Sequence, residues 1–157
     1  FFFKKSILLA GKFFSFNDIE NGILRRSKPI WFLGYITNPF ASKWEKQLRV
    51  ANPDCRIHFA LNCGAASCPP ILCFTAEKLS EQLALATTHF LSQHTQYHAE
   101  NNTVYVSKLL SWYRGDFGGL SGVKKLLLQH QLIPAVPVHI QFTKYDWTLQ
   151  LQHYLAE

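Results

Sequence analysis

The sequence lacks several features that would assign it to a familiar class of protein. None of its 157 residues is methionine, and no stretch of about 18 residues is continuously apolar. The second absence excludes a membrane-spanning helix within this chain. The first predicts that the chain begins inside a longer gene product or after processing, and an exported or periplasmic location would follow if a signal peptide had been removed.

Charge is also scarce. Charged residues make up 17% of the chain, and the net charge of +6 is spread over short basic spots such as Arg25-Arg26 and Lys124-Lys125. Nucleic-acid binding usually needs a clustered basic stripe, so we expect no nucleic-acid partner. Apolar residues at 48% and aromatic residues at 15% instead predict a globular interior, which a chain of this length can bury.

The order of predicted elements indicates a single mixed domain over residues 1–157. Strands are predicted at 12–15, 56–62, 103–107, 138–142 and 145–151, and helices at 16–26, 40–51, 76–92 and 121–130, with a short helix around 109–113. Strands interleaved with helices predict an α+β fold, in which a small sheet is packed by several helices.

Local signals support two of these helices. Ser15 followed by Asp18 matches a capping box at the start of the first helix, and Phe16, Ile19 and Ile23 are predicted to form its buried stripe. In the second helix, Phe40, Trp44 and Leu48 are spaced four residues apart, which predicts one apolar face.

Reactive side chains are concentrated between Arg56 and Pro70, in the sequence RIHFALNCGAASCPP. Alternating apolar residues predict a strand, which ends in a turn held by Pro69-Pro70. A cysteine in such a turn meets backbone amides that favour its thiolate, so Cys63 and Cys68 are candidate nucleophiles. The amides around residues 64–67 are candidate oxyanion donors, because small side chains leave them open.

The partner base admits two hypotheses. Four strand steps place His58 roughly 13 Å from residue 62, so His58 reaches a cysteine only if the turn folds Cys68 back. Alternatively, His139 followed by Asp146 completes the chain order Cys, His, Asp of papain-like and transglutaminase-like enzymes. A triad is defined by geometry and not by chain order, so both hypotheses stay open.

The cysteines also allow interpretations without catalysis. Their spacing, C-x7-C-x4-C-x4-C, lacks the paired C-x2-C of structural zinc sites, so we expect no metal and no cofactor. Cys63 and Cys68 would form a disulfide if their Cα atoms came within about 7 Å. A metal site made by His58, Cys63, Cys68 and Cys73 is a further alternative, and His58 would otherwise be structural. Cys55 and Cys73 are predicted to be core residues.

Four groups of residues resemble the domain-of-unknown-function family 547. They are Asn17 to Arg25, Arg56 to Pro70, Ser107 with Trp112-Tyr113 and Asp116-Phe117, and Tyr145-Asp146-Trp147. Members of that family also carry an N-terminal helical segment with a Trp-Ile-Asn and Tyr-Asn pattern, which this sequence lacks. The resemblance therefore implies that the chain is the C-terminal portion of a longer family domain.

The resemblance also points to particular residues. The signature positions of the family fall on Glu20, Arg25, His58, Asn62, Cys63, Gly64, Ser67 and Cys68. Tyr145 and Asp146 are further, secondary positions of the same pattern. The family pattern has no histidine at position 139. The resemblance therefore favours a site made from His58, the two turn cysteines and Glu20 over one that uses His139.

Our leading hypothesis is a cysteine-dependent hydrolase or acyl transferase of papain or transglutaminase type, acting on a small molecule or a peptide. Cys63 or Cys68 would be the nucleophile, His58 the base, and Glu20 or Asn62 the group that orients the base. The predicted binding residues are Arg25, Gly64, Ser67 and Asp146. The alternative is a non-enzymatic binding module whose cysteine turn is stiffened by a disulfide or a metal.

Overall fold

The chain divides into two compact units of mixed secondary structure. The computed structural model describes residues 2–9, 11–135 and 139–152 and confirms the predicted α+β class. Unit 1 is Phe1–Asp54 with Trp112–Asp116, and unit 2 is Cys55–Ser111 with Phe117–Glu157. No helix in the described part of the chain is long and apolar enough to cross a membrane.

Unit 1 begins with a β-hairpin. Strands β1 (Ile7–Leu9) and β2 (Lys12–Phe14) pair antiparallel, with Leu8 opposite Phe13. Phe14 is only 1% exposed, and its ring meets the Trp44 ring edge-on at 5.0 Å between centroids. Apolar packing in unit 1 is thus centred on the inner face of this hairpin.

The helix after the hairpin is wound differently from the prediction. The capping box is confirmed, since Ser15 Oγ accepts the Asp18 amide at 3.1 Å and Asp18 Oδ2 accepts the Ser15 amide at 2.9 Å. The segment Asp18–Leu24, however, is a π-helix. Its hydrogen bonds join residues five positions apart. The predicted apolar stripe assumed the 3.6-residue period of an α-helix, which does not hold here. Phe16 is 40% exposed, and the predicted burial of that stripe is wrong.

Helix α1 (Lys43–Leu48) is shorter than the predicted helix over 40–51. Ser42 caps it by accepting the Glu45 amide at 3.3 Å, so Phe40 lies before the helix and is 91% exposed. Leu48 is 44% exposed. The predicted face of Phe40, Trp44 and Leu48 is therefore not a buried stripe.

Unit 2 contains a three-stranded mixed sheet. Its strands are β3 (Thr95–His98), β4 (Thr103–Val106) and β5 (His139–Phe142), in the order β3-β4-β5. β3 and β4 are antiparallel and are joined by a 3₁₀ turn, Ala99–Asn101, which ends at Asn102 with a φ of +52°. β4 and β5 are parallel. The predicted strand over 103–107 is confirmed, whereas Val138, where the next was predicted to begin, lies outside the described residues.

Three helices complete unit 2 or border it. They are α2 (Leu79–Gln93), α3 (Leu109–Trp112) and α4 (Gly119–Gln129). α4 begins after Gly118, whose φ is +83°, and so starts two residues before the predicted helix over 121–130. The Ser121 hydroxyl donates to the Gly118 carbonyl at 3.3 Å. The buried face of α2 brings Phe90 within 5.4 Å of the Phe59 ring.

The predicted strand over 56–62 is wrong. The residues Cys55–Phe59 form a 3₁₀-helix, and the amides of Ala60 and Leu61 both donate to the Ile57 carbonyl at 3.0 Å. Backbone groups satisfied locally need no partner strand. The second strand predicted near the end, over 145–151, is reduced to one antiparallel bridge between Ala65 and Leu149.

Candidate thiol site

The turn after the 3₁₀-helix brings two sulfur atoms together. Cys63 Sγ and Cys68 Sγ lie 3.0 Å apart, and no disulfide joins them. Cys63 is exposed, whereas Cys68 is 2% exposed. Cys63 is therefore the accessible residue of the pair, although its sulfur is partly shielded, and Cys68 is enclosed within unit 2.

The buried sulfur receives hydrogen bonds from several directions. The Cys63 amide donates to Cys68 Sγ at 3.2 Å, and the Tyr145 hydroxyl lies 3.2 Å from the same atom. Burial by itself raises the pKa of Cys68, but the hydrogen bonds from Cys63 and Tyr145 outweigh it and hold the pKa below its ordinary value. Cys68 is thus the sulfur of the pair that more readily carries the negative charge.

The other two members of the cluster keep their protons. Burial, followed by the hydrogen bond to Cys68, raises the pKa of Cys63. Burial and the contact with Cys68 raise the pKa of Tyr145 far above its ordinary value, so its hydroxyl remains a donor. When one thiol of the pair ionises, Cys68 is therefore the favoured thiolate, and it accepts from the Cys63 thiol and from the Tyr145 hydroxyl.

The turn itself is held by Asn62. Asn62 Oδ1 accepts the Gly64 amide at 2.6 Å, and Asn62 Nδ2 donates to the Pro69 carbonyl at 2.5 Å. Gly64 has a φ of +88°, which favours glycine. Both ends of the Asn62 amide are therefore used to close the turn around the sulfurs, and its predicted role as an orienting group stays a prediction.

The chain after β5 clamps the turn from the other side. The hydrogen bonds run from the Ala66 amide to the Thr148 carbonyl (2.8 Å), from the Ser67 amide to the Asp146 carbonyl (3.2 Å), from the Gln150 amide to the Gly64 carbonyl (2.7 Å) and from the Asp146 amide to Ser67 Oγ (2.8 Å). The amides of residues 64, 66 and 67 are thus occupied. The expected oxyanion role therefore does not hold for these three amides. The Ala65 backbone instead hydrogen-bonds to the sulfurs and lowers the pKa of both cysteines, so its oxyanion role stays a prediction.

The candidate histidines occupy different surroundings. His58 is 2% exposed, and its ring lies 5.5 Å from the Phe117 ring within unit 2. His139 is exposed on β5, and the Asp146 carboxylate accepts the Thr148 amide at 2.9 Å. The hydrogen bond with the Thr148 side chain and the bond from its amide lower the pKa of Asp146. Catalytic roles for His58, His139 and Asp146 remain predictions.

Arg25 is buried in a polar network within unit 1. It is 1% exposed, and its Nε donates to Asp116 Oδ2 at 2.6 Å. Its Nη1 donates to Asn21 Oδ1 at 2.5 Å and to the Lys28 carbonyl at 2.9 Å. Lys28 Nζ reaches the other oxygen of Asp116 at 3.0 Å. The predicted binding residue is therefore engaged by the protein itself.

Glu20 is attached to this network through an aromatic ring. The Arg25 guanidinium lies 4.7 Å over the Tyr113 ring, and the Tyr113 hydroxyl donates to Glu20 Oε1 at 2.7 Å. Burial raises the pKa of Glu20, and the hydrogen bond from Tyr113 and the positive charge of Arg25 offset part of that rise. A carboxyl group with such a pKa suits proton transfer, and the predicted role of Glu20 stays a prediction.

The remaining cysteines bear on the metal alternative. Cys55 is half-buried and Cys73 is exposed, so the prediction that Cys73 is a core residue is wrong. Among residues 2–9, 11–135 and 139–152, no group of three or more His, Cys, Asp or Glu side chains is arranged to hold a metal ion.

The contact of Tyr145 with the buried sulfur was missed by residue-level reasoning. Tyr145 lies 77 residues beyond Cys68, and no local periodicity or spacing connects the two. The Tyr113 and Asp116 side chains that hold Arg25 were missed for the same reason. The resemblance placed all three among the recurring residues, which was the one available signal.

The fold and the site thus describe a mixed α+β protein with a two-cysteine turn. The chain belongs to the family described as protein of unknown function, DUF547, whose model matches residues 1–91. That range includes both turn cysteines, His58, Glu20 and Arg25, whereas Tyr145 and Asp146 lie beyond it. No curated protein and no solved structure matches the chain.

Proposed function

We propose that the protein acts through thiol chemistry of the Cys63–Cys68 pair, and that thiol–disulfide exchange is its reaction. The observation that carries this proposal is the 3.0 Å approach of an exposed sulfur to a buried one. Exchange needs an accessible attacking thiolate and a second thiol within reach of the mixed disulfide. Cys63 supplies the accessible sulfur, and Cys68 supplies the second.

The reaction begins with a proton shift from Cys63 Sγ to the Cys68 thiolate. The Cys63 thiolate attacks one sulfur of a substrate disulfide, forms a mixed disulfide and expels the first substrate thiolate. Cys68 then loses its proton to that thiolate and attacks Cys63 Sγ, which releases the second substrate sulfur as a thiolate that takes a proton from solvent. The cysteine pair is oxidised by two electrons, and the substrate disulfide is reduced by two.

Tyr145 and the turn support this order of events. The Tyr145 hydroxyl remains protonated beside Cys68, so it stabilises the buried thiolate before and during its attack. The Asn62 bonds hold residues 62–69 as a closed turn, so the two sulfurs begin close together. Preorganisation of this kind lowers the entropy lost on forming the disulfide.

Attack of Cys63 on an acyl group is the second candidate. The Tyr145 hydroxyl, 3.2 Å from the buried sulfur, favours it because a neutral O–H donor near a nucleophile can stabilise an oxyanion. This reaction corresponds to a hydrolase or acyl transferase with His58 as base. Because the amides at 64, 66 and 67 are occupied, its oxyanion would depend on Tyr145, on the Ala65 amide and on donors outside the turn.

One experiment separates these chemistries. The reduced protein is treated with glutathione disulfide or with p-nitrophenyl acetate, and the adducts are mapped by mass spectrometry. For exchange we expect a Cys63–Cys68 disulfide in the native chain and a stable glutathione adduct at Cys63 in Cys68→Ser. An acetyl group on Cys63 that is lost with His58→Gln would instead establish acyl transfer.

Exposed Cys73 is the internal reference in the same digest. Exchange requires Cys63 to react faster than Cys73 at neutral pH. Equal rates at the two residues, with no intramolecular disulfide formed, would contradict the proposal and leave the pair as a structural element.

A further inference from the structure

Unit 1 presents an unusual number of large apolar side chains to solvent within one short segment. This segment, Ile30–Phe40, is called the aromatic loop below. Its exposed members are Ile30 (40%), Trp31 (83%), Phe32 (50%), Tyr35 (55%), Ile36 (51%) and Phe40 (91%). Single exposed apolar residues are ordinary, but a cluster of this size marks a binding surface.

The backbone of the aromatic loop is fixed. Leu33 and Gly34 have φ values of +51° and +83°, and the Leu33 carbonyl accepts the Gly115 amide at 2.6 Å. A Cβ on Gly115 would lie 2.5 Å from the Gly34 carbonyl carbon, so the backbone segments around Gly34 and Gly115 are in direct contact. The Asn38 amide donates to the Ser27 carbonyl at 2.6 Å. A loop anchored at these points presents its rings with little entropy left to lose on binding.

The charges exposed on unit 1 all have one sign. The exposed charged residues among those described are Lys4, Lys5, Lys12, Arg26, Lys43 and Lys46. The carboxylate residues of the unit are all at least half-buried: Asp18, Glu20, Glu45, Asp54 and Asp116. Unit 2 exposes both signs, as Glu77, Lys78, Glu81, Glu100, Lys125, Lys144 and Asp146.

We propose that the aromatic loop inserts into an anionic lipid surface, with the exposed lysines and Arg26 contacting lipid headgroups. Tryptophan and tyrosine rings favour the membrane–water interface, because one part of the ring is apolar and another donates a hydrogen bond. Each Lys or Arg side chain near an anionic membrane adds electrostatic attraction. Lysine stems lie along apolar surface while their ammonium groups stay in water.

A lipid surface fits these observations better than a protein partner. The cations are distributed over the hairpin, the loop flanks and α1, and they share one sign, as a broad anionic surface requires. Trp31 and Phe40 project with most of their area exposed, so they can enter a fluid layer that adapts to their shape. This proposal uses no thiol and is independent of the proposed exchange reaction.

The test is sedimentation of the full chain with phosphatidylcholine vesicles, with and without phosphatidylserine. We expect binding to the anionic vesicles, a fall in binding with added salt, and quenching of tryptophan fluorescence by brominated lipid. Trp31→Ala with Phe40→Ala should weaken binding at least about tenfold. Lys43→Glu with Lys46→Glu should weaken binding to anionic vesicles more at low salt than at high salt.

Leu85→Ala is the matched control, because Leu85 is 54% exposed in unit 2 and its loss should leave binding unchanged. Circular dichroism establishes that each variant is folded. Equal binding to neutral vesicles, absence of binding, or an equal loss with Leu85→Ala would overturn the proposal. Loss of self-association in the loop variant, with no vesicle binding by the native chain, would assign the loop to a protein contact instead.

Discussion

The two units differ in how much of their interior is apolar, although unit 2 also buries polar residues: His58, Thr87, Thr103 and Ser107. In the described part of unit 1, Phe14 and Ala41 are the buried hydrophobic residues, whereas the buried polar residues are Ser15, Asn21, Arg25 and Ser27. Unit 2 buries a continuous apolar set that includes Phe59, Leu83, Phe90, Val104, Val106, Leu110, Val123 and Leu127. One unit depends on paired charges, and the other depends on filled volume.

This difference predicts different responses to mutation. A buried ion pair is unforgiving, because removing one partner leaves the other charged and desolvated. An apolar core responds to lost volume, and its response depends little on salt or pH. The contrast can be tested one unit at a time by hydrogen exchange, which reports local stability peptide by peptide.

The largest effect is expected from Asp116→Ala in unit 1. This change removes the carboxylate that pairs with Arg25 Nε at 2.6 Å and with Lys28 Nζ at 3.0 Å. Breaking a buried ion pair destabilises by about 3–5 kcal/mol, so peptides around Arg25 should exchange much faster. In Asp116→Asn the exchange rate around Arg25 should lie between those of Asp116→Ala and the native chain. Glu77→Ala should leave this rate unchanged. Unchanged exchange around Arg25 in Asp116→Ala would refute the role assigned to this pair.

A loss of comparable or smaller size is expected from Leu127→Ala in unit 2. Leu127 is completely buried, and truncation of a buried leucine costs about 2–5 kcal/mol. The neighbouring Leu128 is 39% exposed, so Leu128→Ala is a matched control that should stay within about 0.5 kcal/mol. Added salt should change the effect of Asp116→Ala more than that of Leu127→Ala. Equal salt dependence would remove the distinction between the two interiors.

Local chemistry was the predictable part of this fold. The capping box of Ser15 and Asp18 involves residues three apart, and β4 and α2 follow from short-range patterns, so each was identified before the structure. The polar interior of unit 1 was not predicted, because apolar periodicity assumes that apolar residues face inward. Arg25 is buried by its pairing with Asp116, which lies 91 residues away.

The candidate site shows the same division. The closeness of Cys63 and Cys68 was raised by their spacing as a disulfide alternative, and the structure places their sulfurs in contact. The strand over 56–62 was wrong because alternation alone cannot tell whether a partner strand exists. Tyr145 reaches Cys68 through the chain that follows β5, and only tertiary structure defines that approach.

The third prediction concerns this tyrosine. Tyr145→Phe removes a donor to the Cys68 thiolate, so the pKa of Cys68 should rise and iodoacetamide labelling of the cysteine pair at neutral pH should slow by roughly tenfold. Because the pKa of Cys68 is lowered by folding, its ionisation stabilises the native state above the unfolded thiol pKa of about 8.5, and this gain is lost as pH falls.

Tyr145→Phe should therefore reduce stability most at alkaline pH. Tyr97→Phe is the matched control, because it deletes a hydroxyl that bonds Asn102 instead of a sulfur. A labelling profile in Tyr145→Phe that coincides with the native one would show that the hydroxyl does not stabilise the thiolate.

The smallest effect, and the one that most sharpens the comparison, is expected from Glu20→Gln. Burial raises the pKa of Glu20, so its favourable contribution is complete below the unfolded value of about 4.3 and is lost as pH rises through the folded pKa. Glutamine keeps an acceptor for the Tyr113 hydroxyl and does not ionise. Unit 1 of the variant should therefore be more stable than the native unit at neutral pH and equal to it in acid, as measured by thermal unfolding across pH.

Glu77→Gln, at an exposed carboxylate of unit 2, is the control and should show no such pH-dependent difference from the native chain. If the Glu20 carboxylate does lower the stability of unit 1 at neutral pH, its presence needs a reason other than stability. Gained stability together with a loss of thiol reactivity in Glu20→Gln would give Glu20 a functional role.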